Sequence, residues 1–477
     1  MSVQLTHPKL IQGGMGIAVS SWKLAKSVSQ AGQLGVVSGT AIDSVLVRRL
    51  QDGDLSGHMR RALSCFPDQV FALEILKRYF KEFGRVSDES YLTAPKLSLN
   101  PQDFATQLLV AASFVEVWLA KEGHDGLVGI NFLEKVQLAT PASVYGAILA
   151  GADYIIMGAG IPSELPALIT SLTNGSPTTL SIDVDGATKK YVLRFDPALI
   201  KGVDISKLTR PKFLAIISSH ALAAYLNRDE ETRPDGFIVE GPTAGGHNAP
   251  PRGQTPVGPD GQSQFTDRDL ADLTKVAAIG LPFWLAGGYA TPEKLEEAIS
   301  LGAIGVQAGS IFALANESGF TSELKTEVLH EISSGTVEIR TDPTSSSTGF
   351  PFKVVSVPGS LSDLANYEER PRLCDLGYLR VPFERTGKGI GYRCSAEPSN
   401  TYIFKGGADT DLEGTKCLCN ALMTNIGLGQ IRPDGYKELP LVTLGSDTTA
   451  ERELLLKYPT GWSAKQAVEY LLGTVVD

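Results

Sequence analysis

At 477 residues the chain exceeds the usual size of a single core, so one large domain with an appended or inserted piece is expected. Hydrophobic residues at 43% and charged residues at 20% exclude a disordered chain, and a net charge of −10 gives no general basis for gripping a phosphate backbone. The stretch "MSVQLTHPKLIQGGMG" shows no export signal and no run of about 18 apolar residues occurs, so a cytoplasmic protein without membrane or nucleic-acid partners is expected.

Taken in chain order, short apolar runs that end in small residues alternate with helical periodicity. "KLIQGG" (9–14) and "LGVVSGT" (34–40) flank a helix that opens on serine. Residues 52–123 read as a helical insertion after the second strand. "GLVGINFL" (126–133), "DYIIMGAGIP" (153–162), "KFLAIISS" (212–219), "GFIVEGPTAGG" (236–246), "PFWLAGG" (282–288) and "AIGVQAGSIF" (303–312) bring the strands to eight. A hairpin, "TTLSIDVDG" with "KYVLRFD", precedes the fifth. Continuous apolar strands alternating with helices predict a parallel (β/α)8 TIM barrel over 1–330, and a doubly wound open sheet is the competing arrangement. A C-terminal extension fills 331–477.

Barrel active sites lie where the strands end, and here those positions are bare: Gly13-Gly14, Gly39, Gly158-Ala159-Gly160, Gly245-Gly246, Gly287-Gly288 and Gly309-Ser310. Glycine makes tight turns, and a repeated bare rim also suits a flat ligand pressed on backbone. The seventh and eighth strand ends, "AGG" (286–288) and "AGS" (308–310), offer N–H groups to a phosphate. His247, set behind Ala-Gly-Gly, is placed to take or give a proton near neutrality. His220, in "IISSH", is the second candidate acid or base, with a packing or capping role as the plainer reading.

In order along the chain, "IQGGMG", "GIN", "GAGIP", "EGPTAGGH" and "LAGGY…GAIGVQAGSIFALANES" resemble the FMN-dependent nitronate monooxygenase (2-nitropropane dioxygenase-like) family, which includes FMN-dependent enoyl-[acyl-carrier-protein] reductases. The resemblance implies FMN, with Gly14, Met15 and Gly16 presenting backbone to the ring and Asn131 hydrogen-bonding the ring or the ribityl chain. It implies Glu240 and Gly245 at the cofactor's edge, Gly288 and Gln307, Ala308, Gly309 and Ser310 around the phosphate, and His247 as the catalytic acid or base. The first function it implies is oxidation of a nitronate-like carbanion with O₂. The alternatives are reduction of an enoyl thioester, free or on an acyl carrier, with NAD(P)H, and a non-catalytic binding subunit.

Two stretches depart from the family pattern. The loop 248–266, with four prolines, reads as a lid or a surface segment, and Arg252 within it as a solvated charge or a contact for an anionic substrate. The extension holds Cys374, Cys394, Cys417 and Cys419, whose spacing is unlike paired zinc arms, so buried thiols are expected and a metal or iron–sulfur cluster stays the open alternative. Its "TSSSTGFPFK" is polar and long enough to fold over the barrel mouth, with Lys353 or the hydroxyls near the cofactor.

Overall fold

A computed structural model describes residues 7–253, 256–385, 387 and 389–474. The first six residues, part of the stretch read for an export signal, lie outside it, as do positions 254 and 255 of the loop 248–266.

Eight parallel strands form one sheet: β1 (Leu10–Gln12), β2 (Gly35–Ser38), β3 (Val128–Leu133), β4 (Tyr154–Gly158), β7 (Lys212–Ile217), β8 (Gly236–Glu240), β9 (Phe283–Ala286) and β10 (Gly305–Ala308). Between β4 and β7 the strands β5 (Thr178–Ile182) and β6 (Tyr191–Phe195) pair as the antiparallel hairpin. The sheet order is β1-β10-β9-β8-β7-β4-β3-β2. Its ends meet, since Gln12 N–H donates to the Leu34 carbonyl at 3.0 Å and Leu34 N–H to that of Leu10 at 3.1 Å. The barrel therefore closes, and each strand contributes to two cores. Ile11, Val36, Tyr154, Ile156, Leu214, Ile238 and Trp284 fill the interior, while their neighbours Leu10, Val37, Ile155 and Phe213 face the helices. Continuous apolar runs follow from burial on both faces.

Helices start as the sequence directs. Ser21 precedes the helix Trp22–Gln30, and Thr291 caps Pro292–Ser300 by accepting from Lys294 N–H at 3.3 Å. The expectation of an insertion over 52–123 needs correction at its end. The helix Asp103–Lys121 packs on Trp22–Gln30, on Ile42–Gln51 and on Thr140–Leu149, which makes it part of the barrel's own helical ring. It is long and apolar enough to cross a membrane by length and composition, and most of its side chains are buried inside the protein.

Beyond the barrel, β11 (Ile339–Asp342) pairs with β12 (Phe352–Val355), and β13 (Val381–Arg385) with β14 (Gly389–Arg393). Trp462 is fully buried and donates to the Ile311 carbonyl at 2.8 Å, while Tyr378 bonds Asp43 and Ser44 of the barrel. Cys394, Cys417 and Cys419 are buried and Cys374 partly so, all as free thiols, and burial pushes the Cys419 thiol up to about 12. Among the described residues no three His, Cys, Asp or Glu side chains converge as a metal site.

Candidate active site

A cavity of about 240 Å³ opens at the carboxyl ends of the strands. The twelve positions that the resemblance assigns to cofactor or chemistry line it: Gly14, Met15, Gly16, Asn131, Glu240, Gly245, His247, Gly288, Gln307, Ala308, Gly309 and Ser310.

The wall at β1 is bare for a geometric reason. A Cβ on Gly14 would lie 2.3 Å from Asn131 Cβ, and Gly16 has φ of +56°. Ser20 fixes this loop, because its hydroxyl accepts from Met15 N–H at 2.9 Å and donates to the Gly13 carbonyl at 2.8 Å. Asn131 donates to the Gly14 carbonyl at 3.1 Å, which leaves its own amide oxygen buried without a partner. An unpaired buried acceptor facing a glycine-lined wall suits a planar ligand that brings an N–H or O–H. Gly287 and Gly288 turn at φ of +84° and +78°, and β10 runs into Gly309 and Ser310. This donor set fits FMN, whose ring would be held by Gly14 to Gly16 and Asn131 and whose phosphate would be held by the two glycine turns.

The extension builds the opposite wall, which sequence reasoning placed only loosely. Thr443 Oγ1 accepts from Gly246 N–H at 2.8 Å, Ser446 N–H donates to the Thr243 carbonyl at 2.9 Å, and Gly445 N–H donates to Ser310 Oγ at 2.8 Å. Thr443, Leu444, Gly445, Asp447, Ala450 and Glu451 all line the cavity. No local signal in "LVTLGSDTTAERELLLK" marks them, because the contacts bridge distant parts of the chain.

His247 lies in the same weave. Its Nε2 is 2.7 Å from Ser346 Oγ, its ring meets Phe352 edge-on at 4.8 Å, and Asn248 N–H donates to the Pro351 carbonyl at 2.9 Å. Burial holds its pKa down at about 4, so the imidazole is neutral at physiological pH. Burial also pushes Glu240 up to about 8 and Lys353 down to about 8, each partly opposed by the other's charge. Lys353 donates to Thr341 Oγ1, behind the cavity wall rather than in it. Ser346→Ala should lower turnover by about tenfold, from one lost hydrogen bond to a neutral imidazole, while FMN affinity stays level. Steady-state kinetics beside a flavin titration measures both, and equal rates for variant and parent would show that Ser346 does not position the ring.

Two readings settle differently. His220 accepts from Asp272 N–H at 3.4 Å and stands outside the cavity. Arg252 is held by the Arg268 carbonyl and the Ser218 hydroxyl, both at 3.1 Å, also outside it. The described part of the loop 248–266 lies against the extension, where Ser263 N–H donates to the Thr341 carbonyl at 2.9 Å. None of it lines the cavity.

Residues 132–344 match the family model described as nitronate monooxygenase. This matched segment spans less than half of the chain. It carries Glu240, Gly245, His247, Gly288 and 307–310, and the protein is an enzyme of the FMN-dependent oxidoreductase type. The match begins after Gly14 to Gly16 and Asn131 and ends before Ser346. Among solved structures the chain is similar to FabK from Thermotoga maritima, with 17% identity over 99% of this chain and 93% of that one and a TM-score of 0.45. It is similar to nitroalkane oxidase from Streptomyces ansochromogenes at 13% identity, 98% and 96% coverage and a TM-score of 0.43. The enoyl reductase domain of MlnA from the macrolactin biosynthesis cluster of Bacillus amyloliquefaciens gives 13%, 98%, 94% and 0.46. At these scores the superpositions are loose. No curated protein matches the sequence.

Proposed function

We propose that this nitronate monooxygenase-family oxidoreductase reduces a conjugated carbonyl double bond, of the enoyl-thioester class, with NAD(P)H as the electron source. One observation carries the choice of substrate. Among the described residues no Lys or Arg lines the cavity, and burial favours the neutral forms of His247, Glu240 and Glu451 within it. A nitronate is an anion and would meet no cationic side chain in this lining, Lys353 lying behind the wall and the glycine N–H groups being left to the phosphate, whereas an enoyl thioester is neutral until it reacts.

FMN, when bound, supplies the hydride transfer that no side chain can. The chain's residues have the two remaining tasks. As the β-carbon gains hydride, negative charge builds on the carbonyl oxygen, and the α-carbon then takes a proton. Phe350 N–H donates to Thr348 Oγ1 at 3.3 Å, and Thr348 Oγ1 is 2.8 Å from Ser346 Oγ. Continued in that direction, Ser346 donates to His247 Nε2 and leaves the hydrogen on Nδ1, a neutral donor for the carbonyl oxygen. Glu240, protonated up to about pH 8, is the acid for the α-carbon and refills from solvent.

The second reading, oxidation of a nitronate with O₂, is favoured by the description of the family that matches 132–344. For it, a histidine held at about 4 is a weak base, and the substrate would have to arrive already ionised. Anaerobic absorbance at the flavin bands separates the two. NADPH should bleach the bands and crotonyl thioester should restore them, with a nitronate leaving them unchanged. Bleaching by nitronate without recovery on crotonyl thioester would overturn the reductase. A protein that takes up no FMN would end both readings.

A further inference from the structure

The extension's helix Thr449–Lys457 carries one residue without a structural task. Glu451 is 1% exposed, lies in the cavity wall, and has no hydrogen-bond partner on either carboxyl oxygen. A bare carboxyl indoors is costly, and an apolar side chain would fill this place without that cost. Its location is specific. The helix packs against the turn Ser310–Ala313, Gly445 N–H donates to Ser310 Oγ at 2.8 Å, and a Cβ on Gly288 would lie 3.8 Å from Asp447 Oδ2. This is the end of the cavity between the two glycine turns, the phosphate end if FMN lies as described above.

We propose that Glu451 is a phosphate-binding residue of the FMN site, donating its carboxylic O–H to a phosphate oxygen, so that the extension's last helices close that end of the cofactor. The proposal rests on FMN occupying this cavity. Among the described residues no Lys or Arg lines this end and Asp447 does, so the phosphate would be held by N–H and O–H donors alone, and an ionised Glu451 would add to the repulsion.

The surroundings keep the acid protonated. Burial raises its pKa to about 8, and Asp447 pushes the same way. From the helix Ala464–Leu471, Tyr470 faces this region with its hydroxyl donated to Glu453, and Glu293 acts on Tyr470 from the helix Pro292–Ser300. Asp447 in turn raises the pKa of Lys294 of that helix, and among the described residues no Lys or Arg lines the cavity beside Glu451. The sign follows directly. Binding takes the protonated form, a bound phosphate raises the pKa further, and affinity is level below about pH 8 and falls above it.

The test is a flavin-fluorescence titration of the full chain, stripped of FMN, with FMN and with riboflavin between pH 6 and 10. The parent's Kd for FMN should rise about tenfold per pH unit beyond the transition, as expected for one linked proton. Glu451→Gln keeps a donor that cannot ionise, and its Kd should stay near the parent's neutral value across the range. Glu451→Ala should weaken FMN by about tenfold at pH 7, the worth of one such hydrogen bond. Riboflavin, which lacks the phosphate, should bind the parent without this pH dependence and bind all three proteins alike. A Glu451→Gln curve that follows the parent's would overturn the proposal and assign the titration to Glu240 or Lys353. A riboflavin curve that falls like FMN's in the parent would overturn it without any variant. Failure of FMN to bind the parent at neutral pH would instead end the FMN reading on which it stands.

Discussion

Replacing His247 with alanine should leave FMN bound and lower kcat by about 10² to 10⁴-fold, the range for removal of a positioned proton donor or acceptor. FMN retention is expected because the groups that would hold ring and phosphate are glycine backbone, Asn131 and Glu451, none of which depends on the imidazole. The loop should hold as well. Its shape is set by backbone bonds from Lys353 N–H to the Gly246 carbonyl and from Asn248 N–H to that of Pro351, both 2.9 Å. The pH profile adds a check that rate alone lacks. Because burial holds His247 near 4, the parent's rate should pass through pH 6.5 without an acid limb. Linkage gives the same sign for stability: the neutral imidazole's contribution is whole above the unfolded pKa and is lost as pH falls from about 6.5 toward 4. A variant turning over within threefold of the parent, or a parent whose rate halves near pH 6.5, would remove His247 from the chemistry.

What could be read from the sequence divides by range. The eight strands and their glycine ends are legible because strand, turn and helix are local, and a closed barrel brings all its strand ends to one face. Two signals were masked. Asp103–Lys121 looked like an insertion because a long irregular stretch separates it from β2. The extension's wall was hidden by distance: 99 positions separate His247 from Ser346, and 197 separate Gly246 from Thr443. Nothing in the local periodicity encodes such pairing. Glu451 is masked in another way, since a glutamate in "TAERELLLK" reads as the wet face of a surface helix until the helix is seen to turn that residue inward. The loop 248–266 drew attention by its prolines, yet the proline and serine segment that meets His247 is 344–351, a hundred residues later.

The wall's dependence on the extension leads to the largest effect expected on stability. Glu438, with a fully buried side chain, accepts from Arg370 Nε at 3.0 Å, from Arg432 Nη2 at 2.5 Å and from Asn420 Nδ2 at 3.2 Å. Asp375 pairs with Arg432 at 2.8 Å, so two guanidinium groups and two carboxylates balance in one cluster. Glu438→Ala leaves one positive charge uncompensated indoors, and Arg370 is too buried to reach water. The expected loss is about 3–5 kcal/mol in a denaturant titration, against roughly 0–1 kcal/mol for Glu297→Ala, which breaks an exposed pair with Lys294. Glu438 stands five residues before Thr443, which holds Gly246, and Asn425 of the same region grips the Leu441 carbonyl at 2.8 Å. Loosening the cluster should therefore release FMN at denaturant concentrations that leave the barrel's helical signal intact. If both signals fall together, the extension and barrel unfold as one unit. If Glu438→Ala costs less than 1 kcal/mol, this cluster does not hold the wall in place.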